Sequence, residues 1–323
     1  MLDILAITGP IYLIIAAGYA TTRAGLFARA DMRVFGKYVI NLALPALLFN
    51  ALSQRAVAEI LNPVFVAAYA LGSLLTMALG FLWARRVAGK AVSASAFIGM
   101  GMSCSNSGFI GFPLVAQVLG PVNAGIGLAL AMVVENFLLL PLALALADSD
   151  VGAAAGAGRA ARWRQALAQS LRGVLTNPMI HGIAIGFAFS LLGWRLPEPA
   201  ARAVNLLAAS CAAISLFVIG GSLVGVATRG LLRDVGAVAM GKLLLHPLAV
   251  LLLVWLLPPM ARELQIAVVV FAAVPMLGIY PILAQKHGHD GPAAAAQMGT
   301  TVVSFFTLTL LLWALRQQGI VAG

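Results

Sequence analysis

Pro113-Leu-Val-Ala-Gln-Val-Leu-Gly120 returns 168 residues later as Pro281-Ile-Leu-Ala-Gln-Lys-His-Gly288, and both copies read P-x-x-A-Q-x-x-G. Each copy follows a glycine-containing interruption, Ser107-Gly108-Phe109-Ile110-Gly111-Phe112 in one case and Pro275-Met276-Leu277-Gly278-Ile279-Tyr280 in the other. Each interruption lies inside a long apolar stretch. Matched Gly/Pro breaks in corresponding membrane segments of two halves point to a transporter binding site.

The surrounding composition places both copies in lipid. The 323 residues are 62% hydrophobic and 9% charged, with a mean hydropathy of +1.01. A soluble domain carries about 25% charged residues. Apolar runs long enough to cross a bilayer, about 20 residues each, fall at 4–22, 34–52, 63–84, 93–119, 123–147, 173–193, 201–226, 234–257, 263–286 and 294–316. The first reads as a retained span, because no basic residue precedes it and no small-residue cleavage signature follows. The stretch 148–172 is rich in Ala, Gly and Arg and reads as a linker. The 168-residue offset carries the first, third and fifth spans onto the starts of the sixth, eighth and tenth. The chain therefore reads as a five-span repeat over 1–147, a cytosolic linker over 148–172 and a second five-span repeat over 173–323. An odd span number inverts the second copy in the membrane. The fold class expected is an all-α integral membrane protein of ten helices, with broken crossover helices in spans four and nine.

Basic residues orient the chain. With the N-terminus outside, the inner loops hold Arg23, Arg29, Arg33, Lys37, Arg85, Arg86, Lys90, Arg159, Arg162, Arg164, Arg172, Arg229, Arg233 and Lys286. The outer loops hold only Arg55, Arg195, Arg202, Arg262 and Arg316, and Lys242 lies within a span. Both termini are therefore expected in the periplasm and the protein in the bacterial inner membrane. The same dispersal argues against nucleic acid as a partner, despite a pI near 10.4. Cys104 and Cys211 sit in apolar segments and read as buried small residues. No His/Cys/Asp/Glu set has metal-ligand spacing, so neither metal nor cofactor is expected.

Backbone that leaves a helix at membrane depth must be buried in protein or line a wet cavity. Pro113 and Pro281 suit the first turn of a new half-helix, where a missing N–H costs nothing, and Pro275 suits the end of the preceding one. Half-helix N-termini carry unpaired N–H groups and about half a positive charge each, so two facing each other make a site for a carboxylate. The bland alternative is a pair of Pro/Gly kinks repaired by neighbours. The substrate-binding candidates are Asn41 in the second span, Asn106, Ser107, Gly108, Gly111 and Pro113 at the first break, and Pro275, Gly278, Tyr280 and Pro281 at the second. Intramembrane ionisable groups are functional candidates by default. Glu135, in the fifth span, is the candidate proton carrier; its structural alternative is a lysine-paired packing residue. Lys242 and His246 are four apart on one helix face and serve as coupling candidates, free to attract an anion or to pair with Glu135. Lys242 alternatively snorkels to the inner surface.

Five stretches resemble the auxin efflux carrier family across essentially the whole chain. They are Asn41-Leu-Ala-Leu-Pro45-Ala-Leu-Leu-Phe49, Ser105-Asn106-Ser107-Gly108-Phe109-Ile110-Gly111-Phe112-Pro113-Leu114, Thr176-Asn177-Pro178, Ile214-Ser-Leu-Phe-Val-Ile-Gly220-Gly221-Ser222-Leu223, and Lys242 with Pro247. The resemblance implies ten spans in two inverted repeats and an elevator-like motion of a core (spans three to five and eight to ten) against a scaffold (spans one, two, six and seven). It also implies a homodimer formed through the scaffold. The substrates it implies are organic anions, malonate and malate in bacteria and auxin in plants. The chain lacks the long central loop of large plant members, carries an extra proline in its ninth span, and looks most like the bacterial malonate-carrier branch. The function expected is secondary transport of a dicarboxylate such as malonate or malate, linked to a proton. The alternatives are a passive anion channel or uniporter, or a sodium-coupled symporter. An intramembrane hydrolase would need an elbow of the form Gly-x-Ser-x-Gly or a His-Glu-x-x-His helix, and neither is present, so no enzyme is expected.

Overall fold

The computed structural model describes residues 2–55, 60–151, 175–225 and 232–317. Among these there are helices and no strands, in the order α1 (Leu2–Arg23), α2 (Asp31–Tyr38), α3 (Leu44–Ser53), α4 (Pro63–Arg86), α5 (Val92–Ser103), α6 (Phe112–Val134), α7 (Leu140–Val151), α8 (Pro178–Leu192), α9 (Glu198–Ser222), α10 (Leu232–Met240), α11 (His246–Leu256), α12 (Arg262–Ala273), α13 (Tyr280–Gln285) and α14 (Asp290–Gln317). The protein is an all-helical integral membrane protein. Most of the expected linker, from residue 152, lies outside the described residues.

Among the described residues, six stretches are long and apolar enough to cross a membrane: Asp31–Ser53, Pro63–Arg86, Ser107–Ser149, Glu198–Ser222, Arg233–Leu256 and Asp290–Leu315. The difference from the ten expected segments has local causes. Ser107–Ser149 is 43 residues, about 65 Å at 1.5 Å per residue, or twice the hydrocarbon thickness. It is kinked at Gly120, whose φ of 81° and ψ of 160° are non-helical, followed by Pro121. The apolar segments entering the two breaks stop after 12 residues each, at Ser103 and Ala273. The sixth segment is a 15-residue helix ended by left-handed Gly193. Gly288, the last residue of the second P-x-x-A-Q-x-x-G copy, is also left-handed, with φ of 72°. Both copies of the motif thus close on a glycine that ends a helical stretch, a conformation that other residues resist.

Among the described residues, four five-residue π-turns accompany the helices, at Val39–Ala43, Ser107–Gly111, Glu135–Leu139 and Gly241–Leu245. One rule accounts for all four: Pro45, Pro113, Pro141 and Pro247 each stand six residues after the first residue of the turn. A proline inside a helix cannot donate to the carbonyl four residues back, and its ring collides with it. Widening the preceding turn by one residue relieves the collision. The long bonds are Leu44 N to Val39 O, Phe112 N to Ser107 O, Leu140 N to Glu135 O and His246 N to Gly241 O. The displaced carbonyl of Phe109 accepts instead from Ser215 Oγ at 3.2 Å.

Glycine lets two helix pairs meet backbone to backbone, α1 on α9 and α8 on α3. A methyl group on Gly18 would lie 2.1 Å from the carbonyl oxygen of Phe217, and one on Gly186 would lie 3.0 Å from Cα and O of Phe49. Small residues at such crossings are how membrane helices approach closely. Gly18→Ala is expected to destabilise by about 1–3 kcal/mol through overpacking. Gly9→Ala, on the same helix with nothing within 4 Å of the added carbon, is expected to be neutral or stabilising by about 0.5–1 kcal/mol. Thermal unfolding of the two variants in detergent checks this; equal melting temperatures would refute the close approach.

Candidate functional site

The two breaks meet. Between α5 and the helix that restarts at Ser107, residues Cys104–Asn106 leave the helix, with Cys104 extended. Ser105 forms an antiparallel bridge to Met276 in the second break. Asn106 N donates to Pro275 O at 2.8 Å, and Leu277 N donates to Cys104 O at 3.3 Å. Freed backbone groups in lipid must find partners inside the protein, and here each break supplies them to the other.

The first half-helix does not start at Pro113 as the proline alone suggested. It starts at Ser107, because Asn106 caps it: its Oδ1 accepts from Phe109 N at 3.3 Å, and its carbonyl accepts from Ile110 N and Gly111 N. A side-chain cap outranks a proline as a start signal, since it satisfies an otherwise orphaned N–H. Pro113 falls in the first α-helical turn after the π-turn. Pro281 does stand in the first turn of α13, but that helix has only six residues.

Asn106, Gly278 and Gln297 converge at this crossing. A carbon added to Gly278 would lie 3.6 Å from Asn106 Nδ2 and 3.9 Å from Gln297 Nε2. Gln297, on α14, donates to Gly278 O at 2.9 Å. Sequence reasoning missed Gln297, although an amide alone in an apolar span was a visible signal. The other candidates separate by role. Gly111 packs on the Phe271 ring of α12, 2.7 Å from an added carbon, and Gly108 packs on Leu44 of α3. Tyr280 turns inward, where its hydroxyl donates to Phe97 O at 2.9 Å and ties α13 to α5. Asn41 lies away from the crossing. Its amide donates to Lys37 O, and it lines a separate cleft of about 310 Å³ with Pro45 and His181.

Behind the crossing lies a buried polar network. Glu135 is 2% exposed and Lys242 and His246 are fully buried. Three donors converge on Glu135 Oε1: Tyr69 OH at 2.7 Å, Ser107 Oγ at 2.8 Å and Ser105 N at 3.2 Å. Lys242 Nζ donates to Ser105 Oγ at 2.8 Å and to Ala272 O at 2.6 Å, with His246 Nδ1 at 2.9 Å. An ammonium has three donors, and three acceptors surround this one, so His246 accepts at Nδ1 and its ring proton on Nε2 points to Ser73 Oγ at 2.8 Å. Lys242 therefore does not snorkel. Ser105, at the centre of the bridge, links the carboxylate to the ammonium by its own N–H and hydroxyl. The hydroxyl of Ser107 faces Glu135 rather than the crossing.

The far end of the second break is tethered to the first half. His287 Nε2 is 2.9 Å from Asp148 Oδ1, and Lys286 Nζ is 3.8 Å from it. His289 Nε2 is 3.3 Å from Ser93 Oγ. Burial and the neighbouring His287 hold the His289 imidazole below its usual pKa. A larger cleft, about 600 Å³, lies elsewhere, between the ends of α3 and α8 and the start of α9. Chemistry rather than volume therefore marks the crossing as the candidate site, where capped helix, paired backbone and buried charges meet.

Comparison with known proteins places the chain among membrane transporters. A family model described as "Membrane transport protein" matches residues 8–314. A protein of Rhizobium meliloti (strain 1021) named "Putative malonate transporter" is 26% identical over 323 residues, which cover 100% of this chain and 99% of that protein. An "Uncharacterized transporter" of Methanothermobacter thermautotrophicus is 26% identical over 113 residues, 34% of this chain and 36% of that protein.

Proposed function

Since the chain belongs to this membrane transport protein family, that of the auxin efflux carriers, and is a transporter rather than an enzyme, we propose that it moves a small organic anion by alternating access at the crossing. The observation that carries this reading is the convergence of Asn106, Gly278 and Gln297 on two breaks whose backbones pair. A helix N-terminus attracts negative charge and presents N–H groups to it. The helix that starts at Ser107 supplies one such end beside the Asn106 amide. The substrate class proposed is a dicarboxylate such as malonate or malate, and the name of the Rhizobium meliloti relative supports that choice.

The architecture proposed is ten spans in two inverted repeats, 1–147 and 173–323, joined by a cytosolic linker. The packing supports it at the 168-residue spacing of the motif. Gly18 meets Phe217 and Gly186 meets Phe49; Gly186 and Phe217 stand 168 residues after Gly18 and Phe49, so the glycine of each half packs on the phenylalanine of the other. Gly25 and Gly193, like Gly120 and Gly288, are left-handed at the same spacing. Transport then proceeds by an elevator motion of the core that holds the crossing against a scaffold of spans one, two, six and seven. A homodimer through that scaffold is part of the proposal.

Asn106→Ala removes a hydrogen bond to a charged group, worth about 1.5–3 kcal/mol, and is expected to weaken anion affinity by about ten- to a hundred-fold. Thermal-shift titration of purified protein with malonate, malate and other small carboxylates reads this directly. Unchanged affinity for every anion that stabilises the parent protein would remove Asn106 from the site. Saturable uptake with counterflow separates a carrier from a channel.

For orientation, both termini are proposed to face the periplasm. Cysteine labelling from outside is expected to reach a tag at Gly323 and to miss one at Gly156. Cys104 and Cys211 are buried and leave a low background. The reverse labelling pattern would overturn the orientation.

A further inference from the structure

We propose that Gln297 selects anions that bring one carboxylate and one hydrogen-bond donor, a hydroxyl or a half-protonated second carboxyl, and that it turns dianions away. The inference rests on the crossing being the anion site and adds what its two amides offer a ligand. They offer opposite ends. Asn106 is 4% exposed, and its Oδ1 is engaged with Phe109 N. Its Nδ2 has no partner among the described residues and is not one of the fully buried orphan atoms, so it reaches open space. Gln297 is turned the other way. Its Nε2 donates to Gly278 O at 2.9 Å and reaches Leu277 O at 3.5 Å. Two carbonyls on that side assign the nitrogen to it, because an amide oxygen there would face other acceptors. Gln297 Oε1 is left without a donor, and it too is absent from the buried orphans. Exposed Gly278 stands between the two. A carbon added there would lie 3.6 Å from Asn106 Nδ2 and 3.9 Å from Gln297 Nε2, so a ligand atom at that point touches both amides.

The repeated sequence explains why the two amides differ. The 168-residue offset carries Asn106 onto Val274, which is fully buried, so the second break has no amide of its own. Its helix α13 has six residues and no side-chain cap. Gln297 reaches in from α14 instead and holds the carbonyls of the break with its nitrogen. The first amide caps with oxygen and shows nitrogen; the second holds with nitrogen and shows oxygen. Charge points the same way. The helix that starts at Ser107 carries about half a positive charge at that end, which suits one carboxylate beside Asn106 Nδ2. Lys242 has no donor left for a ligand, since Ser105, Ala272 and His246 take all three. A second carboxylate against Gln297 Oε1 would set acceptor against acceptor with no cation between them, and both would lose water without gaining a partner. An O–H at the same place donates to that oxygen.

Two matched pairs of ligands test this by thermal-shift titration of the full-length protein in detergent. Glycolate and methoxyacetate differ in the O–H, and monomethyl malonate lacks the second proton that malonate can carry. Glycolate is expected to bind at least about tenfold more tightly than methoxyacetate. Malonate is expected to outbind its monomethyl ester when half-protonated and to weaken as its second proton leaves. Glycolate titrated over the same pH range corrects for ionisation of the protein itself. Gln297→Met is expected to erase the preference for glycolate, whereas Asn106→Ala weakens every ligand and keeps the preference. The melting temperature of each variant without ligand reports that it is folded; should Gln297→Met fail to fold, the ligand pairs on the parent protein decide. Equal binding of glycolate and methoxyacetate, malonate binding that tightens as its second proton leaves, or a preference that survives in folded Gln297→Met would each overturn the role of Gln297. If Asn106→Ala still weakened every ligand in those cases, the crossing would remain the site. Anion binding that Asn106→Ala leaves untouched would overturn the reading of the crossing and this inference with it.

Discussion

Lys242→Met is expected to cost about 3–5 kcal/mol, the range for leaving one buried charge uncompensated, since Ser105 bridges Lys242 to Glu135 without a direct contact between them. The variant removes the donor to Ser105 Oγ and Ala272 O and leaves Glu135 as a buried carboxylate without its cation. Against a typical total stability of about 5–15 kcal/mol, that loss should appear as a collapse in monodisperse yield and a melting temperature lowered by many degrees. The sharper measurement is the double variant Lys242→Met/Glu135→Gln. With both charges gone, glutamine keeps an oxygen for the Tyr69, Ser107 and Ser105 donors, and methionine fills the volume of the lysine stem. Replacing both members of a buried pair is often neutral, so most of the stability should return. Two losses that simply add would show that Glu135 and Lys242 are independent, since residues sharing a network couple.

Glu135→Gln alone addresses the proposal that transport is proton-linked through this carboxyl. The amide retains the shape and the acceptor oxygen but cannot load or release a proton. Accumulation of substrate driven by a pH gradient should fall to background in proteoliposomes. Exchange between equal pools of anion, which needs no net proton movement, should continue. Glu135 lies one hydrogen bond from Ser105 and one from Ser107, on the first half-helix and its break. Protonation there would therefore act on the backbone that forms the crossing rather than on the anion directly. A variant that still accumulates substrate with the parental pH dependence would make Glu135 a packing residue, with its Lys242 partner a structural counter-charge.

These two experiments separate the roles of one cluster. The lysine variant asks whether the network holds the crossing together. The glutamate variant asks whether its protonation does work during transport. Both outcomes together would describe a buried carboxyl and a buried lysine, bridged by Ser105, that are structural at rest and titrate during the cycle.

The sequence alone determined the membrane class, the broken segments and the repeated motif. All three are local properties. Apolar run length follows from bilayer thickness, and Pro45, Pro113, Pro141 and Pro247 each impose a π-turn on residues within reach of their own rings. The glycines of the two P-x-x-A-Q-x-x-G copies end their helices by backbone conformation. Candidate residues chosen for chemistry at a break, Asn106 and Gly278, do meet. Glu135, Lys242 and His246, chosen only because ionisable groups in lipid are rare, also prove to share one network.

The tertiary structure decided which atoms face which. Ser105 reaches Lys242 across 137 positions, Tyr69 reaches Glu135 across 66 and Tyr280 reaches Phe97 across 183. Nothing in the local sequence around any of them encodes such a partner, because a hydroxyl or an ammonium carries no address; only the packing of distant helices supplies one. For the same reason Asn41, equal to Asn106 on the page, lies in a different cleft, and Ser107, beside the break, spends its hydroxyl on Glu135. Gln297 sits in an ordinary apolar span until the fold brings it to Gly278. Local sequence sets where a membrane helix must break, and long-range packing sets what the broken ends are offered.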